Sequence, residues 1–252
     1  MKIKLKIFAF IITALFLTAV FFACAFYNGI FLFNNPSYKL YPIRGVDVSS
    51  YQGRIDWSIL NNQNISFAYI KATEGSSHTD VCFAYNWEQA QKTDLAVGAY
   101  HFFSFDSPGV TQAENFIKSV LPFDGMLPPV IDVEFYGDKE KNPPAKDTVT
   151  KELRDMINAL EKHYGLKPVL YVTEKSYDTY IRGDFTDYDI WFRNVISKAA
   201  PSDGRKWTFW QYTNREMIDG YNGKEKFIDM NVFNGSNNEF NCYPRYIKNT
   251  EP

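Results

Sequence analysis

The sharpest hydropathy feature lies at the N-terminus. Lys2, Lys4 and Lys6 precede an almost unbroken apolar run from Ile7 to Phe26, and a shorter patch, Ile30 to Phe33, follows Tyr27, Asn28 and Gly29. About 20 apolar residues suffice to cross the ~30 Å hydrocarbon core of a bilayer as one helix, and they exceed the roughly 7–15 usual in a signal peptide. Residues 1–33 are therefore predicted to form a transmembrane anchor, the leading lysines holding the short end inside and leaving the remainder outside. Two alternatives stay open, a cleaved signal peptide and a lipid on Cys24, which Phe21-Phe22-Ala23 precedes. Residues 34–43, with Pro36, read as a short polar linker.

Beyond the linker, short apolar or β-branched runs alternate with stretches of helical periodicity, the pattern of βαβ units around a parallel sheet. Strands are expected at Arg44 to Val48, Ser66 to Lys71, Ala96 to Phe103 and Pro129 to Glu134, then at Pro168 to Val172, Asp189 to Phe192, Trp207 to Tyr212 and Phe227 to Phe233. The clearest helices are Cys82 to Lys92, Thr111 to Val120 and Lys146 to Tyr164, the last stopped by Gly165 with Pro168 soon after. Polar groups gather at or just past the carboxyl ends of these strands: Asp47, Glu74, His101, Asp132 and Glu134, followed by Tyr171, Trp191, Trp210, Gln211 and Asp229. In a (β/α) barrel that is the face on which catalytic groups collect. Outside the anchor about 210 residues remain, near the lower size for such a fold, so the prediction is a compact α/β TIM-like barrel with some helices short or missing. Residues 44–240 would form this catalytic domain and 241–252 a tail, with the Asn-rich stretch 234–241 as a cap.

Composition narrows the function. The chain has 252 residues, a net charge of -2 and 45% hydrophobic residues, an ordinary globular balance with no basic stripe for a phosphate backbone. Nucleic acid is excluded as a partner. His78, His101 and His163 are scattered and Cys24, Cys82 and Cys242 form no C-x-x-C, so neither a metal nor any other cofactor is expected. Cys82 and Cys242 could pair, although buried free thiols are the commoner state. Aromatic residues at 17% exceed the needs of a core, and ring faces also stack on the flat apolar faces of sugars.

One strand carries chemistry. In Pro129-Val130-Ile131-Asp132-Val133-Glu134 the two acids alternate with apolar residues, so both carboxylates face one way with Cα atoms about 6.5–7 Å apart. Like charges that close disfavour double ionisation, leaving a protonated acid beside an ionised partner, the division of labour that glycoside cleavage requires. Solvated acids on an edge strand would show the same spacing.

Further pieces surround this pair in order. They are Gly45-Val46-Asp47-Val48-Ser49-Ser50-Tyr51-Gln52-Gly53 with Ile55-Asp56-Trp57, Tyr69-Ile70-Lys71-Ala72-Thr73-Glu74-Gly75, and Gly98-Ala99-Tyr100-His101-Phe102. After Asp132-Val133-Glu134 come Trp210-Gln211-Tyr212-Thr213 and Ile228-Asp229-Met230-Asn231-Val232-Phe233. From about Gly45 to Gly235 the chain resembles the glycoside hydrolase family 25 lysozymes, the Chalaropsis type. The resemblance implies a flattened β/α barrel that hydrolyses the β-1,4 bond between N-acetylmuramic acid and N-acetylglucosamine in peptidoglycan. It implies Glu134 as proton donor, Asp132 and Asp47 as further essential acids, Asp229 as a site aspartate and Tyr100 as a neighbour of the reacting sugar. His101, Tyr171, Trp191, Trp210 and Gln211 complete the expected substrate groove. The expected course is retention, with the sugar's 2-acetamido group attacking the anomeric carbon while Asp132 orients it. A direct nucleophile, Asp132 or Asp47, stays open. The chain departs from the family pattern at Trp191-Phe192-Arg193-Asn194, which sets a cation beside the groove.

Two other readings compete. A chitinase-like hydrolase would carry further aspartates two and four residues before Asp132, where this chain has Val130 and Pro128. A silent peptidoglycan-binding module would keep the groove and lose an acid, yet all four acids are present. The protein is expected to act as a monomer.

Overall fold

Strict in–out alternation along the strands builds two separate apolar cores. The computed structural model describes residues 2–248. Its elements are helix α1 (Lys2–Tyr27), β1 (Arg44–Val48), α2 (Trp57–Asn61), β2 (Phe67–Glu74), β3 (His78–Thr79), α3 (Phe83–Ala90), β4 (Ala96–Phe102), α4 (Gly109–Ser119) and β5 (Val130–Val133). Then come α5 (Lys146–Tyr164), β6 (Val169–Thr173), α6 (Glu174–Ser176) running into one π turn at Tyr177–Ile181, β7 (Ile190–Arg193), β8 (Phe209–Glu216), β9 (Ile228–Phe233) and α7 (Asn237–Asn241). The nine strands run β1-β9-β8-β7-β6-β5-β4-β2-β3, and a further β1–β2 pairing closes all but β3 into a barrel. The expected compact α/β barrel is present, with no helix between β7 and β8.

Outward side chains such as Val46, Ile70, Ile131, Leu170 and Phe192 pack under the helices. Inward ones, among them Phe67, Tyr69, Val130, Trp191 and Phe209, fill the barrel below the carboxyl face. Two inward glycines make room for these rings. A methyl group at Gly98 would overlap the Tyr69 ring, and one at Gly45 the Phe67 ring. The small–large pairing fits the narrow lumen of an eight-stranded barrel.

Not every strand is parallel. β9 runs antiparallel to both β8 and β1, whereas the other barrel neighbours are parallel. A parallel return needs a crossover of a dozen or more residues, usually with a helix, and the loop between Glu216 and Ile228 contains none. The all-parallel expectation therefore fails at this strand. Asp229 sits at the amino end of β9, and only this reversal carries it to the face that holds the other strands' carboxyl ends.

The segments flanking the barrel are docked onto it. Asn34, 9% exposed, donates its amide to the carbonyls of Asn194, Ser197 and Tyr212 at 3.1–3.2 Å. Arg44 stacks 3.6 Å from the Tyr38 ring centroid and donates to Pro36 O and to Tyr212 Oη. Residues 34–43 are therefore a strap, contrary to the expected polar linker. At the opposite end, Phe240 of α7 seals the barrel floor against Phe67 and Phe233 at ring distances of 5.7 and 5.1 Å. Tyr246 continues by pairing its backbone with Gly125 and Met126, so the expected tail is part of the fold, and its residues 249–252 lie outside the described residues. The Cys82–Cys242 bond is not formed, both thiols being free. Ile3–Tyr27 is long and apolar enough to cross a membrane, and it contains an 18-residue window with a mean hydropathy of 2.6 and no buried residue.

Candidate active site

A cleft of about 600 Å³ opens on the carboxyl face, with Asp47, Asp132, Glu134 and Asp229 among its lining. Each acid reaches it by strand parity. Val130 faces the barrel interior, so Asp132 on β5 and Glu134, one residue past its end, follow at two-residue steps and both line the cleft. Asp47 and Asp229 are brought side by side by the β1–β9 register.

Asp47 has the most elaborate support. Asn231 Nδ2 and Gln211 Nε2 donate to its Oδ2 at 2.7 and 3.0 Å. Trp191 Nε1 donates to Asn231 Oδ1 at 2.8 Å, and Tyr171 Oη donates to Gln211 Oε1 at 3.1 Å. These two donations fix the direction of both amides, so each presents its N–H to Asp47. Burial pushes the Asp47 carboxyl up, and the two amides, then Arg193, pull against that rise. Asp229 has no such amides, and burial followed by the charge of Asp47 holds its carboxyl well above the usual range. Of this pair, Asp47 is the one better supported as an anion, because two side-chain amides donate to it.

The β5 acids differ in exposure. Asp132 is 7% exposed, and its Oδ1 has no hydrogen-bond partner. Burial first, then the Glu134 charge, raise its carboxyl well above the ordinary range. Glu134 stands half-buried at the cleft wall, and burial also raises it, against the pull of Arg193. Beside them Tyr100 stays a neutral phenol, since burial and the charges of Asp47 and Asp132 push its ionisation far up. At the rim Lys71 and Glu74 pair at 2.7 Å, as their spacing allowed.

Two expected groove residues lie on the other side of the barrel wall. His101 is fully buried beneath α4, its Nδ1 2.7 Å from Thr73 Oγ1 and its Nε2 3.0 Å from Gln112 Oε1. Burial lowers it to about 4, so it remains a neutral packing residue at physiological pH. Trp210 points outward into Trp207 and Tyr41 and donates its indole N–H to Asn194 O at 2.8 Å. Adjacent strand residues face opposite ways, so Tyr100 and Gln211 in the cleft force His101 and Trp210 out. Conversely, Asn231 was missed as a site residue, although its two-residue spacing from Asp229 already set it on the inward face. Among the described residues no group of three or more His, Cys, Asp or Glu converges as metal ligands.

Comparison with known proteins agrees with this geometry. The sequence profile of glycosyl hydrolases family 25 matches residues 46–221. A family 25 glycosyl hydrolase from Bacillus anthracis is 57% identical, with a TM-score of 0.80 over 84% of this chain and 97% of that one. A bacterial lysozyme from Streptomyces coelicolor is 30% identical, with a TM-score of 0.70 over 78% of this chain and 94% of that one. Lysozyme M1 of Streptomyces globisporus is 32% identical over 77% of this chain and 68% of its own length. With a profile match across most of the barrel and four acids converging on its carboxyl face, this chain belongs to glycoside hydrolase family 25.

Proposed function

We propose that the protein is a muramidase that hydrolyses the β-1,4 bond between N-acetylmuramic acid and N-acetylglucosamine in peptidoglycan. The observation that carries this reading is the pair Asp132 and Glu134, at the carboxyl end of β5 in an open cleft, both raised by burial and unequal in exposure. In this role Glu134, the more accessible acid, holds a proton and gives it to the departing glycosidic oxygen. Asp132 Oδ1, buried without a partner, is an acceptor suited to the N–H of a 2-acetamido group. That hydrogen bond would orient the acetamido carbonyl oxygen toward the anomeric carbon. The resulting oxazolinium-type cation is stabilised by Asp132 and by the anion of Asp47. Water then attacks the anomeric carbon from the face the leaving group vacated, gives its proton to the Glu134 carboxylate and opens the ring to the 2-acetamido sugar with retained configuration. Tyr100, Tyr171 and Gln211 line the pocket of the reacting sugar, with Trp191 as its floor. A defined peptidoglycan digested with the purified chain should release muropeptides with muramic acid reducing ends by mass spectrometry. Glucosamine reducing ends, or no release at all, would defeat the assignment.

The helix Ile3–Tyr27 supports a membrane anchor with the barrel outside the cytoplasm. The protein is expected to stay with membranes through a carbonate wash, checked by immunoblot with N-terminal sequencing. A soluble product beginning beyond Ala25 would instead mark a cleaved signal peptide.

A further inference from the structure

The reaction outlined above leaves one cleft cation without a task. Arg193 closes β7 two residues beyond Trp191 and on the same inward face, in register with Thr173 of β6 and Gln211 of β8. It lines the cleft together with Asp47, Asp132, Glu134 and Asp229. The other cleft cation, Lys71, is taken up by Glu74 at 2.7 Å, whereas no ion pair or hydrogen bond holds the Arg193 guanidinium among the described residues.

We propose that Arg193 is a positioning residue for hydrolysis, the shared counter-cation of the four cleft acids, which sets the pH range in which one acid stays protonated while another is ionised. The inference rests on the muramidase reading. The charged and titratable groups facing Arg193 are few in kind. Tyr171 on β6 and Tyr100 on β4 remain neutral, burial raising both phenols. Lys71 on β2, paired with Glu74, also lowers Asp132 and Glu134, ahead of Arg193 at Asp132 and behind it at Glu134, whereas Arg193 acts on Asp47 and Asp229 as well. What remains is an acidic wall of Asp47 on β1, Asp132 and Glu134 at β5, and Asp229 on β9 with Glu225 just before it. In a cavity partly shielded from water, one fixed cation acts on every member of such a wall. The Arg193 charge indeed pulls down all four raised carboxyls, among them Asp47 and Asp229, which the proton transfer does not engage.

The test is the pH dependence of kcat/KM on purified peptidoglycan, measured with the full chain in detergent for wild type, Arg193→Gln, Arg193→Met and Arg193→Lys. Removal of the cation raises every acid, so the acid limb, which needs an ionised carboxylate, and the alkaline limb, which needs protonated Glu134, should both move up. The expected displacement is about half to one pH unit in the Gln and Met variants and little in the Lys variant, which keeps the charge. Limbs that stay in place in the charge-free variants, whether or not the rate falls, would overturn the proposal. A second readout is the titration of ¹³C-labelled Asp and Glu side chains by NMR. Upward midpoints in the charge-free variants support the role, and unmoved midpoints reject it. If the wild-type chain released no reducing ends, the muramidase reading would fail while this titration still decided the role of Arg193.

Discussion

Glu134→Gln is expected to lower the release of reducing ends from peptidoglycan by at least about 100-fold, the lower range of what a positioned general acid contributes. Glutamine matches glutamate in shape and cannot supply a proton, so the glycan should still bind the isolated variant with nearly unchanged affinity. Stability should change little, because the Glu134 side chain is only half-buried. The wild-type rate should fall on the alkaline side as Glu134 loses its proton, at a pH above the usual glutamate range because burial raises the group. Reducing-end assays combined with glycan binding by calorimetry check the prediction. Activity within a few-fold of wild type would remove Glu134 from the acid role.

Asp132→Asn should combine two effects of opposite sign. Activity should fall by a comparable factor, since an amide cannot support the developing positive charge. The fold should become more stable at neutral pH, on the order of 1 kcal/mol, as is common when a functional residue held at a cost is relieved. Direction follows from the raised carboxyl. In the unfolded chain an aspartate ionises around 3.8, whereas in the barrel burial and the neighbouring Glu134 oppose its charge. Below that pH both states of the wild type are neutral at this position and the advantage of asparagine vanishes. As the pH rises through the ordinary aspartate range and up to the raised folded value, the wild type carries a growing cost that the variant lacks. Thermal unfolding of both proteins from pH 3 to 8 would show a difference that widens with pH. A constant difference would mean that Asp132 is comfortable as an anion and that its role was misread.

Much of the site was legible because a strand reports its own faces. Asp132-x-Glu134, Asp229-x-Asn231 and Trp191-x-Arg193 each name two residues that must share a side, whatever the strand packs against. The same rule should have separated Tyr100 from His101 and Trp210 from Gln211, since no regular strand can turn both neighbours into one groove. His101 and Trp210 were expected there because aromatic and imidazole side chains suit a sugar site and a core equally well. Only their partners tell the two apart, Gln112 and Thr73 for the histidine and the Asn194 carbonyl for the indole.

What the amino-acid sequence determined by itself was local: an apolar helix of membrane length, the succession of strands and helices, the acid pair on one inward face and, through ordered motifs, the family. Tertiary structure alone decided the direction of β9, and with it the pairing of Asp229 with Asp47, because direction depends on which edges remain to be joined when the barrel closes. It alone decided that residues 34–43 are a docked strap and that Asp47 is held by Gln211 and Asn231. Periodicity is written in neighbouring residues, whereas these contacts join residues more than 150 positions apart, which no local pattern encodes.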